Sequence, residues 1–422
     1  MSPGTSGSTG DVRPLIALAL ALRGRGFGIL FVADQSFERA ARQAGIQASE
    51  WFSSTLVPQG FWLRTAAGQR GLWGDRRRRR DRWVTQELRN HWSERAARFW
   101  RTIDGPNNSR IVAVVGAIPA CRLLRRFGPS CAKIVSCPMP YQPSAHFTLT
   151  PPDLSLVTRA LTWMRAGRTD PEEQRAFCED LFHLVSASPS VFPRPTDWLP
   201  NMQVTGYTPL EDDGTAWSPP AELTDFLAEG PPPIYVGFGN HAVLFGARGR
   251  RRIQAIVDGC QRLNIRCILQ SPDVPPSFAS SRLFVLNDDV SHAWLFPRCS
   301  AIVHHGGYGT LHAALVARRP MVIYPFQTDQ FLWAARMGEL GVGPGFTERL
   351  RFLSAERLET DLTAVLDGLH QEAAERLGSA VVADQGLTVQ VAAIEAIVEH
   401  TQRGLRPLNW RMPAGPASRL AS

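Results

Sequence analysis

Apolar positions along the chain follow two periods, one of about 3.6 residues and one of unbroken short runs. Val12 to Leu22 carries its apolar residues at helical spacing, and after Arg23-Gly24-Arg25-Gly26 the run Ile29 to Ala33 reads as a strand. Ile111 to Val115 and Ile134 to Val135 are further β-branched runs of the kind that lie buried in a parallel sheet. From Asn201 to Pro233 the chain turns to Pro, Gly and acidic residues, which predicts a boundary. Beyond it the order restarts clearly. Strands are expected at Ile234–Val236, Arg266–Leu269, Leu283–Leu286, Ala301–His304 and Met321–Tyr324. Helices are expected near Arg251–Leu263, from Thr310, near Phe331–Met337, and over Ala355–Leu369 and Thr388–Arg403. This succession predicts a doubly wound α/β unit with ligands at the carboxyl ends of its strands. The expected division is a first domain at 1–205, a linker at 206–230, a second domain at 231–402 and a loose tail at 403–422.

Bulk properties narrow the class. A chain of 422 residues is long enough for two domains of roughly 200 residues each. With 44% hydrophobic and 20% charged residues it has the balance of a globular protein. No apolar run reaches the ~18 residues that span a bilayer, and the small, polar first ten residues show no cleavage-type pattern, so a cytoplasmic location is expected. The seven cysteines (Cys121, Cys131, Cys137, Cys178, Cys260, Cys267, Cys299) are scattered and form no CxxC pair, which points to neither a zinc site nor a disulfide framework. The net charge of +8 is uneven, because Arg76 to Arg80 form an unbroken run. That run reads either as a solvated loop or as a contact for an acidic partner such as an anionic lipid surface, and no nucleic-acid motif surrounds it.

The densest chemistry lies between His304 and Gln330. A strand ending at His304 feeds the turn His305-Gly306-Gly307-Tyr308-Gly309-Thr310 and then a helix. Glycines let backbone N–H groups close on an anion, and the helix dipole favours negative charge there. A histidine and a hydroxyl in the turn add donors, so the ligand implied is a phosphate or diphosphate, although glycines also serve tight packing. The next strand ends in Pro325-Phe326-Gln327-Thr328-Asp329-Gln330. An acid that accepts and an amide that both donates and accepts suit vicinal sugar hydroxyls. Phosphate at one strand end and polyol at the next describe a nucleotide-sugar.

His304-His305-Gly306-Gly307-Tyr308-Gly309-Thr310, then Pro320, Pro325, Asp329-Gln330 and Gly341-Val342-Gly343-Pro344, resemble the donor signature of the GT-B glycosyltransferases that use UDP- or dTDP-sugars. The nearest variants are sterol glucosyltransferases and the enzymes that glycosylate macrolide- and glycopeptide-type natural products. Val290-Ser291-His292-Ala293-Trp294-Leu295-Phe296, Tyr235-Val236-Gly237-Phe238-Gly239 and Gly7-Ser8-Thr9-Gly10-Asp11-Val12-Arg13-Pro14 extend the likeness. The resemblance implies two Rossmann-like doubly wound domains facing a cleft. It further implies that His305 and the amides of Gly306, Gly307, Gly309 and Thr310 hold the diphosphate with Asn240 nearby, that Asp329 and Gln330 hold the sugar, and that Val290 and His292 border the base. His292 reads equally as a packed residue beside Trp294.

The same likeness makes Asp11 the candidate general base of an inverting displacement, needing no metal and no cofactor beyond the sugar donor. Asp11 reads alternatively as a cap on a helix starting near Val12. Plant members place a ribose-binding acid where Ala313 stands here, which leaves UDP and dTDP both open. Asn240 replaces a usual serine, and Arg318-Arg319 stand where a small residue and glycine are common. The family opens with a β-branched strand before the Gly-Asp loop, whereas Met1 to Ser6 make a poor central strand; either the sequence starts late or the first domain lacks that strand, and a catalytically impaired nucleotide-sugar-binding protein is the alternative. Six of the twelve tryptophans (Trp51, Trp62, Trp73, Trp83, Trp92, Trp100) interleave with the arginine run. They read either as core packing or as a wall for a lipophilic acceptor taken from a membrane surface, with peripheral membrane contact.

Overall fold

The computed structural model describes residues 9–27, 29, 31–33, 38–47, 51–53, 112–115, 131–137, 179–209, 218–239, 246–271, 274, 276–288, 290–326 and 328–412. In the first half, helix α1 (Thr9–Gly24) precedes β1 (Phe31–Ala33), α2 (Glu38–Gln43) and β2 (Trp51–Ser53). Strands β3 (Val112–Val115), β4 (Ala132–Cys137), β5 (Phe182–Val185) and β6 (Met202–Val204) pair in that order, all parallel, and β1 pairs with β2.

The second half runs α3 (Ala221–Ala228), β7 (Ile234–Gly237), α4 (Gly246–Arg262), β8 (Cys267–Gln270), β9 (Leu283–Leu286), α5 (His292–Leu295), β10 (Ile302–His304), α6 (Tyr308–Val316), β11 (Met321–Ile323), α7 (Thr328–Glu339), α8 (Ala355–Leu366), α9 (Gln371–Ala383) and α10 (Gly386–Gln402). Its parallel sheet has the order β11-β10-β7-β8-β9. The chain therefore leaves β7 toward β8 and β9, then returns to its other side at β10, and the reversal opens a crevice beyond the carboxyl ends of β7 and β10.

Alternate residues of these strands face two cores, as a strand buried on both faces requires. Tyr235, Ile302, Met321 and Ile323 pack with Leu311, Leu315, Trp333 and Ala374 from α6, α7 and α9. Ile234, Val236, Val303 and Val322 pack with Ile253, Ile256, Leu358 and Leu362 from α4 and α8. The first of these layers continues into the first half through Val185, Val191, Phe192, Trp198 and Met202, so the two halves share apolar packing.

Several expected boundaries move. The linker expected at 206–230 contains α3, whose Leu223 and Phe226 are buried and join the core layer under α6, because an i, i+3 apolar pair gives even a short helix a face to bury. Helix α10, expected within the second domain, returns to the first half. Its Val391, Ile394 and Ile397 pack with Leu18, Leu22, Ile134, Phe182 and Leu184. Gln390, 1% exposed, donates to Ser136 Oγ at 2.8 Å and accepts from Thr208 Oγ1 at 3.1 Å, pinning that helix. The expected loose tail is ordered through Met412: Trp410 is buried and meets the Phe182 ring edge-on at 5.7 Å. The stretch Gln371–Gln402 is apolar enough in length and composition to cross a membrane, yet Gln385 in a left-handed conformation divides it into α9 and α10, each buried against a different half.

Candidate functional site

Pairing registers set one row across the second sheet: Leu286, Gln270, Gly237, His304 and Ile323 lie side by side at the carboxyl edge. The turn after His304 therefore opens at the reversal point of the strand order. His304 is wholly buried, and its Nδ1 accepts the Gly306 N–H at 3.1 Å. Nε2 must then carry the proton, and it faces Met321 Sδ at 3.5 Å. Burial, with His305 and His292 adding to it, holds the His304 pKa well below the usual imidazole range, so this ring is a neutral shaping element of the turn.

Two glycines shape this turn, Gly306 by its backbone and Gly307 by the room it leaves for a ring. Gly306 has φ +88°, and a Cβ there would lie 3.0 Å from Ile323 Cγ2 and 3.1 Å from the Gln330 carbonyl oxygen. A Cβ on Gly307 would lie 2.5 Å from Nε2 of His305, whose ring thus folds over the start of α6 and stands 5.6 Å from Phe326. Gly307 is the N-cap of α6 and no side chain caps that helix. The first amides of α6, those of Tyr308, Gly309 and Thr310, thus open a helix start without a side-chain cap beside the His305 ring, an arrangement suited to an anion.

The neighbouring strand end at Tyr324 is braced from below. The buried Asp361 accepts from Tyr324 Oη at 2.8 Å, Thr347 Oγ1 at 2.7 Å and Arg357 Nη2 at 2.8 Å. Burial first, then the Asp361 charge, pushes the Tyr324 hydroxyl well above its ordinary pKa, so it stays a donor. Gln330 is 5% exposed and its Oε1 accepts the Phe326 N–H at 2.9 Å. This amends the expected role of Gln330, because part of its accepting capacity already shapes the loop. Asp329, the second residue of α7, is half-buried.

On the β8–β9 side the Tyr235 hydroxyl donates to Gln270 Oε1, and Gln270 Nε2 donates to the Asp288 carbonyl at 2.9 Å, fastening the segment that leads to Val290. Val290 is 8% exposed. Ser291 caps α5 by accepting the Trp294 N–H at 3.3 Å. The His292 ring stacks on Phe296 at 4.2 Å and meets Tyr235 edge-on at 5.8 Å, so it is packed as well as placed at the row's rim.

Asp11 lies in the first turn of α1, which begins at Thr9 and not near Val12, so Asp11 is inside the helix and the capping role does not hold; its side chain lies outside the described residues. Helix α1 packs against α6. Arg13, two residues on, acts electrostatically on the Tyr207 hydroxyl, whose pKa burial pushes up to about 12. Tyr207 stacks on His312 of α6 at 4.7 Å. The start of α1 thus lies near the helix that opens at the glycine turn. Asn240, the segment 1–6, the arginine run 76–80 and the side chains of the six clustered tryptophans lie outside the described residues. Cys131, Cys260, Cys267 and Cys299 are buried thiols, and among the described residues no group of His, Cys, Asp and Glu is arranged to hold a metal ion.

The sequence reading missed His304, Tyr308, His312, Tyr324 and Asp361 as site-shaping residues. Only the His304–His305 doublet and the i, i+4 spacing of Tyr308 and His312 carried a local signal.

Four likenesses to known proteins extend the picture. Residues 285–397 match the family model of the erythromycin biosynthesis protein CIII-like C-terminal domain. A sterol 3-beta-glucosyltransferase of Arabidopsis thaliana is 37% identical over 215 residues, covering 50% of this chain but only 32% of that relative's length. An O-mycaminosyltylonolide 6-deoxyallosyltransferase of Streptomyces fradiae is 27% identical over an alignment of 434 positions that covers 94% of this chain and 96% of the relative. Among solved structures, a calicheamicin glycosyltransferase superposes with a TM-score of 0.61 at 16% identity, covering 92% of this chain and 95% of its own.

Proposed function

We propose that this chain, which has the GT-B fold and is homologous to sterol and macrolide-type glycosyltransferases, moves a hexose from a UDP- or dTDP-sugar to a hydroxyl of a lipophilic acceptor. The observation that carries this reading is the turn from β10 to α6, where His305 Nε2 stands over Gly307 at a helix start that no side chain caps, at the reversal point of the sheet. A diphosphate would accept hydrogen bonds from the amides of Tyr308 to Thr310 and from His305. Asp329 and Gln330, one strand over, would hold the sugar hydroxyls, with Val290 and His292 toward the base and Asn240 near the phosphates.

In the proposed reaction Asp11 takes the proton of the acceptor hydroxyl as its oxygen bonds to the anomeric carbon. The bond from that carbon to the diphosphate oxygen breaks, and the nucleoside diphosphate leaves with the electron pair. Displacement from the opposite face turns an α-linked donor into a β-glycoside. General-base help of this kind is typically worth ~10²- to 10⁴-fold. The positive end of α6 and His305 would stabilise the leaving charge without a metal ion. A cytoplasmic chain that takes its acceptor from a membrane surface through the arginine- and tryptophan-bearing segment fits this chemistry.

The test is a panel of UDP- and dTDP-sugars, scored for nucleotide release with and without a sterol or a macrolide aglycone. Acceptor-dependent release from at least one donor is expected. Binding without any turnover would favour the catalytically impaired alternative, and no binding of any donor would sink the proposal.

A further inference from the structure

The helix that opens at the phosphate-holding turn is also the one bonded into the other half of the molecule. Tyr308 is the first residue of α6, and its side chain, 5% exposed, donates its hydroxyl to the Ser186 carbonyl just past β5. His312 lies one helical turn on, on the same face. Its Nδ1 faces the Tyr308 carbonyl at 3.1 Å and so carries the proton, which leaves Nε2 to accept the Ser188 N–H at 3.4 Å. Ser186 and Ser188 are themselves 1% and 0% exposed. The Ser186 carbonyl and the Ser188 amide flank the bend at Ala187, and two side chains of α6 hold both of them.

The surroundings fix that arrangement. His312 packs against both the Tyr207 ring at 4.7 Å and the Tyr308 ring at 4.4 Å, which also touch each other, and burial keeps it neutral. The Ser188 hydroxyl donates to the Asp384 carboxylate, and Arg336 of α7 donates from Nε to the Val191 carbonyl at 2.7 Å. The extension 186–191 is thus tied to the ends of α6, α7 and α9 together. Upstream it is continuous with β5, which is paired on both sides, to β4 and to β6. Ser186 directly follows the last residue of β5, so the Tyr308 bond reaches the first sheet without an intervening residue.

We propose that Tyr308 and His312 are positioning residues through which occupancy of the phosphate-holding turn sets the placement of the first, acceptor-side half. The inference rests on the donor-site reading of that turn and adds a function to it: the helix that receives the diphosphate carries the message to the carboxyl end of β5. A ligand that draws in the first amides of α6 shifts the Tyr308 ring, and the Ser186 to Ser188 backbone moves with it. Coupling of this kind is reciprocal, so an acceptor held by the first half raises donor affinity through the same two bonds.

Amide hydrogen exchange over residues 182–192, measured on the full chain with and without saturating UDP or dTDP, reads this directly. In the wild type the nucleotide is expected to slow exchange there by at least ~10-fold. Tyr308→Phe, which removes one oxygen, and His312→Leu are expected to abolish that slowing, and in His312→Leu, whose residue lies outside the phosphate-holding turn, nucleotide affinity by calorimetry is expected to change less than about threefold. His312→Gln, which restores an acceptor, is expected to recover most of it, and the KM of each substrate, measured with the other saturating, is expected to rise in the two broken variants, as reciprocal coupling requires. Nucleotide-dependent protection of 182–192 that persists unchanged in both broken variants would overturn the coupling alone. Failure of the wild type to bind either nucleotide would overturn the donor-site reading and this inference with it.

Discussion

Gly307→Ala separates function from stability at the turn. The backbone at Gly307 (φ −62°, ψ 134°) is one that alanine adopts without strain, so the fold itself has no objection to the methyl group. The added carbon would nevertheless lie 2.5 Å from His305 Nε2 and 3.0 Å from Cε1, so the ring must swing off the start of α6. If that ring donates to a diphosphate oxygen, the substitution removes one hydrogen bond to a charged group, worth about 1.5–3 kcal/mol. At a factor of ten per about 1.4 kcal/mol, UDP or dTDP should bind ~10- to ~150-fold more weakly. Thermal stability should hold or rise slightly, as it does when glycine is replaced at a compatible position. Calorimetric titration beside a melting curve measures both. The cycle with His305→Ala supplies the control, because with the ring gone the methyl should have no further effect on affinity. Wild-type affinity in Gly307→Ala, or losses that simply add in the double variant, would refute the assignment of His305.

Three further outcomes follow from other parts of the structure. Tyr324→Phe removes a hydrogen bond to the buried Asp361 carboxylate, worth about 1.5–3 kcal/mol; steady-state kinetics should show a higher KM for the sugar donor, whereas the Kd of the sugar-free nucleotide stays put. Burial lowers the His312 pKa to about 4 from 6.5, so the unfolded chain binds the proton more readily and stability falls as pH drops below 6.5, down to about 4. That loss reaches about 2 kcal/mol at pH 5 from His312 alone, and urea unfolding at pH 7 and 5 should show a shallower pH dependence in His312→Gln. Asp11→Asn should lower transfer by ~10²- to 10⁴-fold with nucleotide affinity unchanged, and undiminished turnover would remove Asp11 from the mechanism.

What the sequence made legible was local. The strands β7 to β11 are short apolar runs bounded by turn residues, and a run buried on both faces looks the same whatever packs on it. The glycine turn after His304 was readable because backbone approach to an anion and close packing on Ile323 and Gln330 both demand residues without a Cβ. Strand β5 was missed because the buried His183 interrupts its apolar run, and β6 because it has three residues within a stretch that reads as loop. Helix α9, alanine-rich and divided from α10 by two polar residues, gave no separate signal.

Contacts between distant segments were out of reach in principle. Tyr308 with Ser186, His312 with Ser188 and Gln390 with Ser136 join residues more than a hundred positions apart, and no periodicity encodes such a pairing. For the same reason α10 was assigned to the half it follows in sequence and not to the half it packs on. Trp410 belongs with it, because a single aromatic in a Pro- and Arg-rich tail carries no pattern, yet it meets Phe182 across the first half's core.

A crystal structure of the chain with UDP or dTDP bound tests the central claim most directly. The account predicts diphosphate oxygens within hydrogen-bonding distance of the backbone nitrogens of Tyr308, Gly309 and Thr310 and of His305 Nε2, with the base toward Val290 and His292. A nucleotide bound with its phosphates away from the start of α6 would contradict it.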